Sequence, residues 1–351
     1  MKRSKYTRPT WLKEQGEGGQ GTADKPRLTT SAMIASLAAA GQRTKPAPFG
    51  RALAAVAETK PEIVGLTADL SKYTDLHIFA HAHPDKFYQI GMAEQLLMCA
   101  AAGLAREGFQ PFATTYAVFA ARRAYDFIAM AIAEENLNVK IVCALPGLTT
   151  GYGPSHQATE DIAIFRGLPN MTILDPCDAH EIEQIVPAIA AYPGPVYMRL
   201  LRGNVPLILD EYDYKFELGK AKLLRDGKDA IIISSGFMTM RALEAIETLK
   251  ADRVDVGVLH VPTIKPLDEA AILREAGRSG RLVVVAENHT IIGGLGEAIG
   301  ALLLRSGVTP VFRQVALPDE FLDAGALPTL HERYGISANA VARQIKQWLA
   351  H

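Results

Sequence analysis

A glutamate at the start of an alanine-rich stretch is the first residue whose position suggests chemistry. Glu94 lies in the run Gly91 to Gln95, and the residues after it have the composition of a helix. At a helix N-terminus a carboxylate complements the helix dipole, which stabilises the helix by about 0.3–1 kcal/mol. If the carboxyl group is also buried, its pKa rises and it can hold and transfer a proton. Position alone favours the first interpretation, so Glu94 needs support from its neighbours.

Aromatic residues mark a second segment, Pro111–Phe119, in which a predicted strand passes into a predicted helix. Tyr116 and Phe119 are three residues apart, so on a helix both side chains point to the same side. Packing in an ordinary core is one interpretation of this pair. The other is that both residues line one pocket.

A long polar loop follows another predicted strand and reads Gly-Leu-Thr-Thr-Gly-Tyr-Gly-Pro-Ser-His-Gln, from Gly147 to Gln157. It contains too much glycine and too many polar residues for a core segment. In open α/β sheets, ligands bind beyond the carboxyl ends of the strands. His156 in this loop is therefore a candidate for binding substrate or transferring protons, although a loop histidine is often merely exposed.

Two arginines and a glycine-rich turn complete the candidates. Arg199 and Arg202 lie at the end of a predicted strand, and the alternation of a strand points them in different directions. Either guanidinium group can bind an anion, and either can simply be solvated. The turn Glu287–Gly296 lacks the spacing of a phosphate-binding loop, so we interpret it as a structural turn or a subunit contact.

These segments lie within an alternation of short apolar runs and helical patterns that predicts an α/β protein. We expect two domains, each with a mostly parallel sheet flanked by helices. The alternation breaks at Asn204–Tyr214, which is rich in proline, aspartate and tyrosine, and then starts again. The predicted organisation is an N-terminal arm at 1–44, a first domain at 45–205 and a second domain at 206–351. Helical patterns include those at 30–40 and 115–133.

The overall composition excludes some classes of function. The formal net charge of −1 gives no electrostatic reason to expect binding to nucleic acid or to an anionic membrane. No run of about 18 apolar residues occurs, so no membrane-spanning helix is expected. Cys99, Cys143 and Cys177 have no metal-binding spacing, and we interpret them as buried thiols of a cytoplasmic protein. No metal ligands are predicted in this chain.

Taken in their order, these segments resemble the C-terminal half of transketolase, from about residue 45 to residue 351. The matching segments are Thr67–Leu70, Gly91–Gln95, Thr115–Phe119, Gly153–Gln157, Pro169–Met171, Pro176–Asp178, Arg202 and Glu287–Gly296. Proteins of the transketolase superfamily have a diphosphate-binding domain, a pyrimidine-binding domain and a C-terminal domain. The resemblance implies that this chain supplies the last two.

The resemblance also implies roles in a site for thiamine diphosphate. Glu94 resembles the glutamate that activates this cofactor, and Phe119 resembles the aromatic residue that stacks on its aminopyrimidine ring. A partly buried Glu94 that is hydrogen-bonded to a ring nitrogen can hold the proton that activation requires. The remaining implied roles are cofactor binding for Tyr116 and Asp69, catalysis and substrate binding for His156, and substrate binding for Arg202, Tyr152 and Tyr73.

One part of the family pattern is missing. Members of the superfamily bind magnesium and the diphosphate through a Gly-Asp-Gly motif, which this sequence lacks. The resemblance therefore implies that Mg²⁺ and the diphosphate are held mainly by a separate N-terminal subunit, in an α2β2 enzyme. The implied reaction is transfer of a two-carbon ketol unit from a ketose to an aldehyde acceptor.

The positions that contact sugars in transketolases differ here. Tyr152, Ala144, Tyr73 and Pro46 stand where transketolases have an aspartate, a histidine, a serine and an arginine, with Lys45 beside the last. We therefore expect a sugar or sugar-like substrate unlike the usual pentose phosphates.

Three alternatives stay open. One is the beta subunit of a 2-oxo-acid dehydrogenase, which shares the two-domain plan. Another is an enzyme similar to 1-deoxyxylulose-5-phosphate synthase. The third is a cofactor-free regulatory subunit, which the presence of Glu94 and Phe119 disfavours.

Overall fold

The computed structural model describes residues 37–38 and 41–350. The helix predicted over 30–40 and nearly all of the N-terminal arm lie outside the described residues. The strands are numbered along the described part of the chain. They are β1 (Thr44–Pro46), β2 (Ile63–Thr67), β3 (Phe87–Gln89), β4 (Gln110–Tyr116), β5 (Lys140–Ala144), β6 (Thr172–Leu174), β7 (Val196–Leu200), β8 (Asn204–Pro206), β9 (Lys222–Arg225), β10 (Ala230–Ser234), β11 (Val256–His260), β12 (Thr263–Lys265), β13 (Leu282–Thr290) and β14 (Phe312–Leu317).

The helices are numbered in the same way. They are α1 (Pro48–Ala57), α2 (His77–Ala82), α3 (Glu94–Arg106), α4 (Ala117–Arg123), α5 (Tyr125–Ile128), α6 (Asp161–Arg166), α7 (Ala179–Ala191), α8 (Gly236–Ala251), α9 (Glu269–Ala276), α10 (Leu295–Arg305), α11 (Leu327–Arg333) and α12 (Ala338–Leu349). Within the described residues, no helix is both long enough and apolar enough to cross a membrane.

Two mostly parallel sheets form the centres of two domains, as the sequence predicts. The first has the strand order β12-β6-β7-β5-β4-β2-β3, and the second has the order β14-β13-β10-β11-β9. Within these sheets only β12 and β9 are antiparallel to their neighbours. Every residue of β2, β4, β5 and β7 is buried, because helices cover both faces of the first sheet.

The single helix predicted over 115–133 is only partly correct. Thr115 and Tyr116 pair with Cys143 and Ala144 in the sheet, so the backbone stays extended up to Tyr116. The chain then forms α4 and α5, followed by a short π-helical segment at Ala129–Ala133. This arrangement places Tyr116 at the carboxyl edge of the sheet and Phe119 one turn into the helix that follows.

The two domains share structure across their boundary. Strand β12 comes from the second half of the chain, yet it pairs with β6 at the edge of the first sheet. The segment where we expected a break is also fixed, because β8 pairs with β1 and the Asp178 carboxylate accepts hydrogen bonds from the amides of Ile208 and Leu209, each at 2.7 Å. The site described below is therefore supported from both domains.

Arg199 is part of this shared structure. It is not free to bind an external anion, although we had allowed for that role. Its side chain is buried and forms ion pairs with Asp161 at 2.9 Å and Asp175 at 3.2 Å. It also donates a hydrogen bond to the carbonyl oxygen of Asn288 at 2.9 Å, in the second domain. A buried guanidinium needs such partners, since an unpaired buried charge is strongly destabilising.

The interpretation of all three cysteines as buried thiols is also only partly correct. Cys143 and Cys177 are buried, whereas Cys99 is exposed. Cys99 lies on α3, on a face that the described residues leave uncovered.

Candidate functional site

A cavity of about 420 Å³ lies at the carboxyl edge of the first sheet. All eight predicted site residues line it, although they come from segments far apart in the sequence. They are Asp69, Tyr73, Glu94, Tyr116, Phe119, Tyr152, His156 and Arg202, and they are joined by Leu70, Met92 and Arg123. This is the position in which α/β sheets bind ligands.

A tight turn places Glu94 at the start of α3. Gly91 has a φ of +95°, a conformation that favours glycine, and its amide donates a 2.6 Å hydrogen bond to the carbonyl oxygen of Ala68. The helix begins three residues later, and the Glu94 side chain points into the cavity wall with only 2% of the residue exposed. Burial of a carboxyl group at the edge of a cavity is the arrangement that proton transfer requires.

Aromatic rings surround the imidazole of His156. The ring centroids of Tyr152, Phe119 and Tyr116 lie 5.3, 5.5 and 6.1 Å from the centroid of His156. Tyr116 and Phe119 also contact each other, with centroids 5.6 Å apart. Both interpretations of this pair hold in part, because Tyr116 packs into the core while its ring and that of Phe119 line the cavity.

The loop that carries His156 is fixed by a neighbour of the site. Arg122 donates hydrogen bonds to the carbonyl oxygens of Pro154 at 2.8 Å and Gln157 at 3.2 Å, and it forms an ion pair with Glu160. The Ser155 hydroxyl lies 2.9 Å from Nδ1 of His156. Partial burial and the positive charge of Arg123 lower the pKa of His156 below its ordinary value.

The second domain also fixes this loop. The carbonyl oxygen of Gly151 accepts a 3.0 Å hydrogen bond from the amide of Gly325. A Cβ atom on Gly151 would lie 2.0 Å from the carbonyl oxygen of Gly325, so this close approach requires glycine. Nε2 of His331 lies 2.8 Å from the carbonyl oxygen of Leu148. The backbone amide of Leu148 donates a 2.8 Å hydrogen bond to Oδ1 of Asn288.

Arg202 is the arginine that faces the cavity, in contrast to Arg199. Its guanidinium carbon lies 5.7 Å from the centroid of the Tyr73 ring. Its Nε atom is buried and has no hydrogen-bond partner among the described residues. A buried donor without a partner is unfavourable.

Lys45, Pro46 and Ala144 do not line the cavity, although we had linked them to substrate recognition. Lys45 forms an ion pair with Glu183 at 2.5 Å. Pro46 of β1 pairs with Asn204 of β8, and Ala144 is fully buried at the end of β5. Lys45 is therefore committed to a contact within the first domain.

Arg123 is the site residue that the sequence analysis missed. Its Nη1 lies 3.2 and 3.4 Å from the two carboxylate oxygens of Glu94, and its guanidinium carbon lies 3.9 Å from the centroid of the Phe119 ring. Phe119 and Arg123 are four residues apart on α4 and therefore lie on the same face of this helix. That spacing was a usable signal in the sequence.

The segment 287–296 joins the end of β13 to the start of α10 through a glycine-rich turn, which has a structural role, one of the two interpretations that we gave it. The carboxylate of Glu287 is buried and accepts hydrogen bonds from the amides of Leu295 at 2.6 Å and Gly296 at 2.9 Å. A carboxylate of the same chain thus occupies the N-terminus of α10, where a phosphate would otherwise bind. Burial raises the pKa of Glu287 to about 7, although the two amides act in the opposite direction.

Comparison with protein families identifies both domains. Residues 45–207 match the transketolase pyrimidine-binding domain, and residues 219–341 match the transketolase C-terminal domain. The chain belongs to the transketolase family. This transketolase-family chain therefore contains the pyrimidine-binding domain and the C-terminal domain, as the order of its motifs suggested.

Relatives of similar length support this assignment. The chain is 72% identical over 350 residues to an uncharacterized transketolase family protein of Sinorhizobium fredii, and the alignment covers 99% of each protein. It is 39% identical to a 6-deoxy-6-sulfo-D-fructose transketolase subunit of Clostridium sp., over 82% of this chain and 88% of the relative. A solved structure described as a split gene transketolase, inactive beta4 tetramer, superposes with a TM-score of 0.78 at 39% identity, over 88% of this chain and 99% of that one.

The residues around the cavity fit the pyrimidine half of thiamine diphosphate. A buried carboxylate, a partly exposed aromatic face and an unsatisfied guanidinium donor converge there. Within residues 37–38 and 41–350, no group of three or more His, Cys, Asp and Glu side chains is arranged to hold a metal ion.

Proposed function

We propose that this chain is one of two subunits of a thiamine-diphosphate-dependent transketolase. It would transfer a two-carbon ketol unit from a ketose to an aldehyde acceptor, with a pyrimidine-binding domain at 45–205 and a C-terminal domain at 206–351. The observation that carries the proposal is the buried Glu94 carboxylate beside the Phe119 ring, in a cavity of a transketolase-family chain.

The cofactor, when bound, supplies the nucleophilic carbon and the electron sink for such a transfer. Glu94 would hold a proton at a carboxylate oxygen against the pyrimidine ring, from its buried position in the cavity wall. Phe119 offers a ring face for stacking and excludes water from that side, while Tyr116 and Asp69 complete the wall around the cofactor.

Substrate would enter the same cavity from the side of His156. Ser155 occupies Nδ1 of this histidine, which leaves Nε2 to exchange a proton with a substrate oxygen. Arg202 would bind the anionic end of the substrate through its guanidinium group, with Tyr73 and Tyr152 shaping the channel. The name of the Clostridium relative specifies a sulfonated ketose, and a sulfonate is an anion that an arginine can bind.

The proposal includes a separate N-terminal subunit that carries the Gly-Asp-Gly motif and holds Mg²⁺ and the diphosphate. The absence of this motif from the sequence supports this part. So does the name of the split-gene relative, whose beta4 tetramer is described as inactive. We also propose an α2β2 assembly with the sites at subunit interfaces, because closed twofold symmetry is common among oligomers, and we propose that it acts in the cytoplasm.

Calorimetry tests the proposal. The isolated chain should bind magnesium thiamine diphosphate weakly, and the complex with the Gly-Asp-Gly subunit of the same organism should bind it tightly. The complex should then be screened for ketol transfer with phosphorylated, sulfonated and uncharged ketoses. Tight binding of magnesium thiamine diphosphate by the isolated chain would contradict the proposed division of labour.

A further inference from the structure

The carboxylate of Glu94 and the ring of Phe119 already share one ligand within the chain. Arg123 contacts both carboxylate oxygens through Nη1, at 3.2 and 3.4 Å, and its guanidinium carbon lies 3.9 Å from the centre of the Phe119 ring. These are the only hydrogen bonds that the described residues give to the Glu94 carboxylate. Arg123 therefore compensates a buried negative charge that would otherwise be unpaired.

A guanidinium group resembles an aminopyrimidine ring in the properties that this site selects. Both are planar, both donate N–H hydrogen bonds to a carboxylate, and both stack on aromatic faces. The other rings in contact with Phe119 are those of Tyr116 and His156, whose centroids lie 5.6 and 5.5 Å from its own. The face covered by Arg123 is therefore the one on which a second planar group could stack.

We propose that Arg123 is an internal competitor that occupies the pyrimidine position until the cofactor displaces it. This inference rests on the proposed function, because it requires that an aminopyrimidine bind between Glu94 and Phe119. The side chain of Arg123 is 49% exposed, so it can move into solvent without disturbing the core. The side chain of Glu94 is only 3% exposed and stays in place.

The competition between Arg123 and the ligand determines how far the apparent dissociation constant of the ligand is raised. A ligand that binds only the open state has its apparent dissociation constant raised by the inverse of the open fraction. The partial exposure of Arg123 lets solvent weaken the ion pair, so the closed state does not dominate completely. An open fraction of about one tenth gives an effect of about tenfold.

The test uses the full chain and a probe that lacks the diphosphate, the part of the cofactor that the partner subunit would hold. The probe is 4-amino-2,5-dimethylpyrimidine, which is the cofactor ring without its thiazolium and diphosphate. Arg123→Ala should bind this probe about tenfold more tightly than the wild type. Arg123→Lys should bind with intermediate affinity, because lysine keeps the charge near Glu94 but has no planar group to stack.

Arg343→Ala is the matched control. Arg343 is a half-exposed arginine paired with Glu332 in the second domain, so the variant loses the same charge away from the cavity. Its affinity for the probe should equal that of the wild type. In wild-type protein with labelled arginine, NMR spectroscopy should also show the Arg123 side-chain signal leaving its ring-current-shifted position as the probe is added.

The outcomes separate the two ideas. Probe binding with an Arg123→Ala affinity equal to or weaker than that of the wild type would overturn the competition and leave the proposed function standing. Failure of every variant, Arg123→Ala included, to bind the probe would overturn the inference alone, because the proposed function is tested separately by cofactor binding and ketol transfer in the complex.

Discussion

Glu287 should make the stability of this protein depend on pH, and Glu287→Gln should remove that dependence. Burial raises the pKa of this carboxyl group from its ordinary value of 4.5 to about 7. The folded protein therefore binds this proton more strongly than the unfolded chain does. The stabilisation is complete below about pH 4.5 and is lost as the pH rises through 7.

The two pKa values set the magnitude of the effect. One pKa unit corresponds to about 1.4 kcal/mol, so a rise from 4.5 to about 7 amounts to about 3 kcal/mol across the window. The hydrogen bonds from Leu295 and Gly296 favour the ionised form and are already included in that value. The free energy of unfolding should therefore fall by about 1 kcal/mol per pH unit in the middle of the window.

Denaturant unfolding at pH values from about 5 to about 8 measures this directly. The quantity to plot is the wild-type free energy of unfolding minus that of Glu287→Gln, because contributions from other titrating groups then cancel. Glu297→Gln is the matched control, since Glu297 is exposed and accepts a hydrogen bond from Gly293 in the same turn. A difference that stays constant over this range for Glu287→Gln would refute the reasoning.

Three further predictions concern the proposed active site. In the reconstituted complex, Glu94→Gln should keep the fold but lower turnover by about 10²–10⁴-fold, and exchange of the thiazolium proton at the wild-type rate would contradict the role of this residue. Phe119→Ala should raise the cofactor dissociation constant by about 2- to 10-fold, because an aromatic stack is worth about 0.5–1.5 kcal/mol, while the Michaelis constant for substrate changes less. Loss of stability with unchanged cofactor affinity would instead favour a role in the core. Tyr152→Asp should improve steady-state turnover of xylulose 5-phosphate with ribose 5-phosphate, whereas turnover of that pair by the wild type with no gain in the variant would show that this position does not determine specificity.

The predicted strands correspond closely to the observed ones where a run of apolar residues is buried on both faces. Ala230–Ser234 is an example, because its burial leaves a continuous apolar signal. The signal fails where pairing partners are distant. Strand β12 has only three residues, and nothing local indicates that it pairs with β6 across the domain boundary. Over residues 115–133, the local composition favours a helix and does not reveal the pairing of β4 with β5 that keeps Thr115 and Tyr116 extended.

The order of the motifs identified the site residues, and the fold places these residues around one cavity. The residue pattern alone left the choice between Arg199 and Arg202 open, and the family resemblance favoured Arg202. Strand alternation separates the two side chains, but only the fold brings Asp161 and Asp175 to Arg199 and leaves Arg202 facing the cavity. The roles of the site residues stay predictions until they are measured.

The strand that crosses between the domains bears on how this protein can be divided. A fragment cut at residue 205 would contain a whole pyrimidine-binding domain by sequence, yet it would lack β12. The backbone groups of β6 would then lie at an open sheet edge, and such edges recruit strands from other molecules. The fragment should therefore aggregate rather than fold independently. The two domains of this chain should therefore be kept together when the protein is divided.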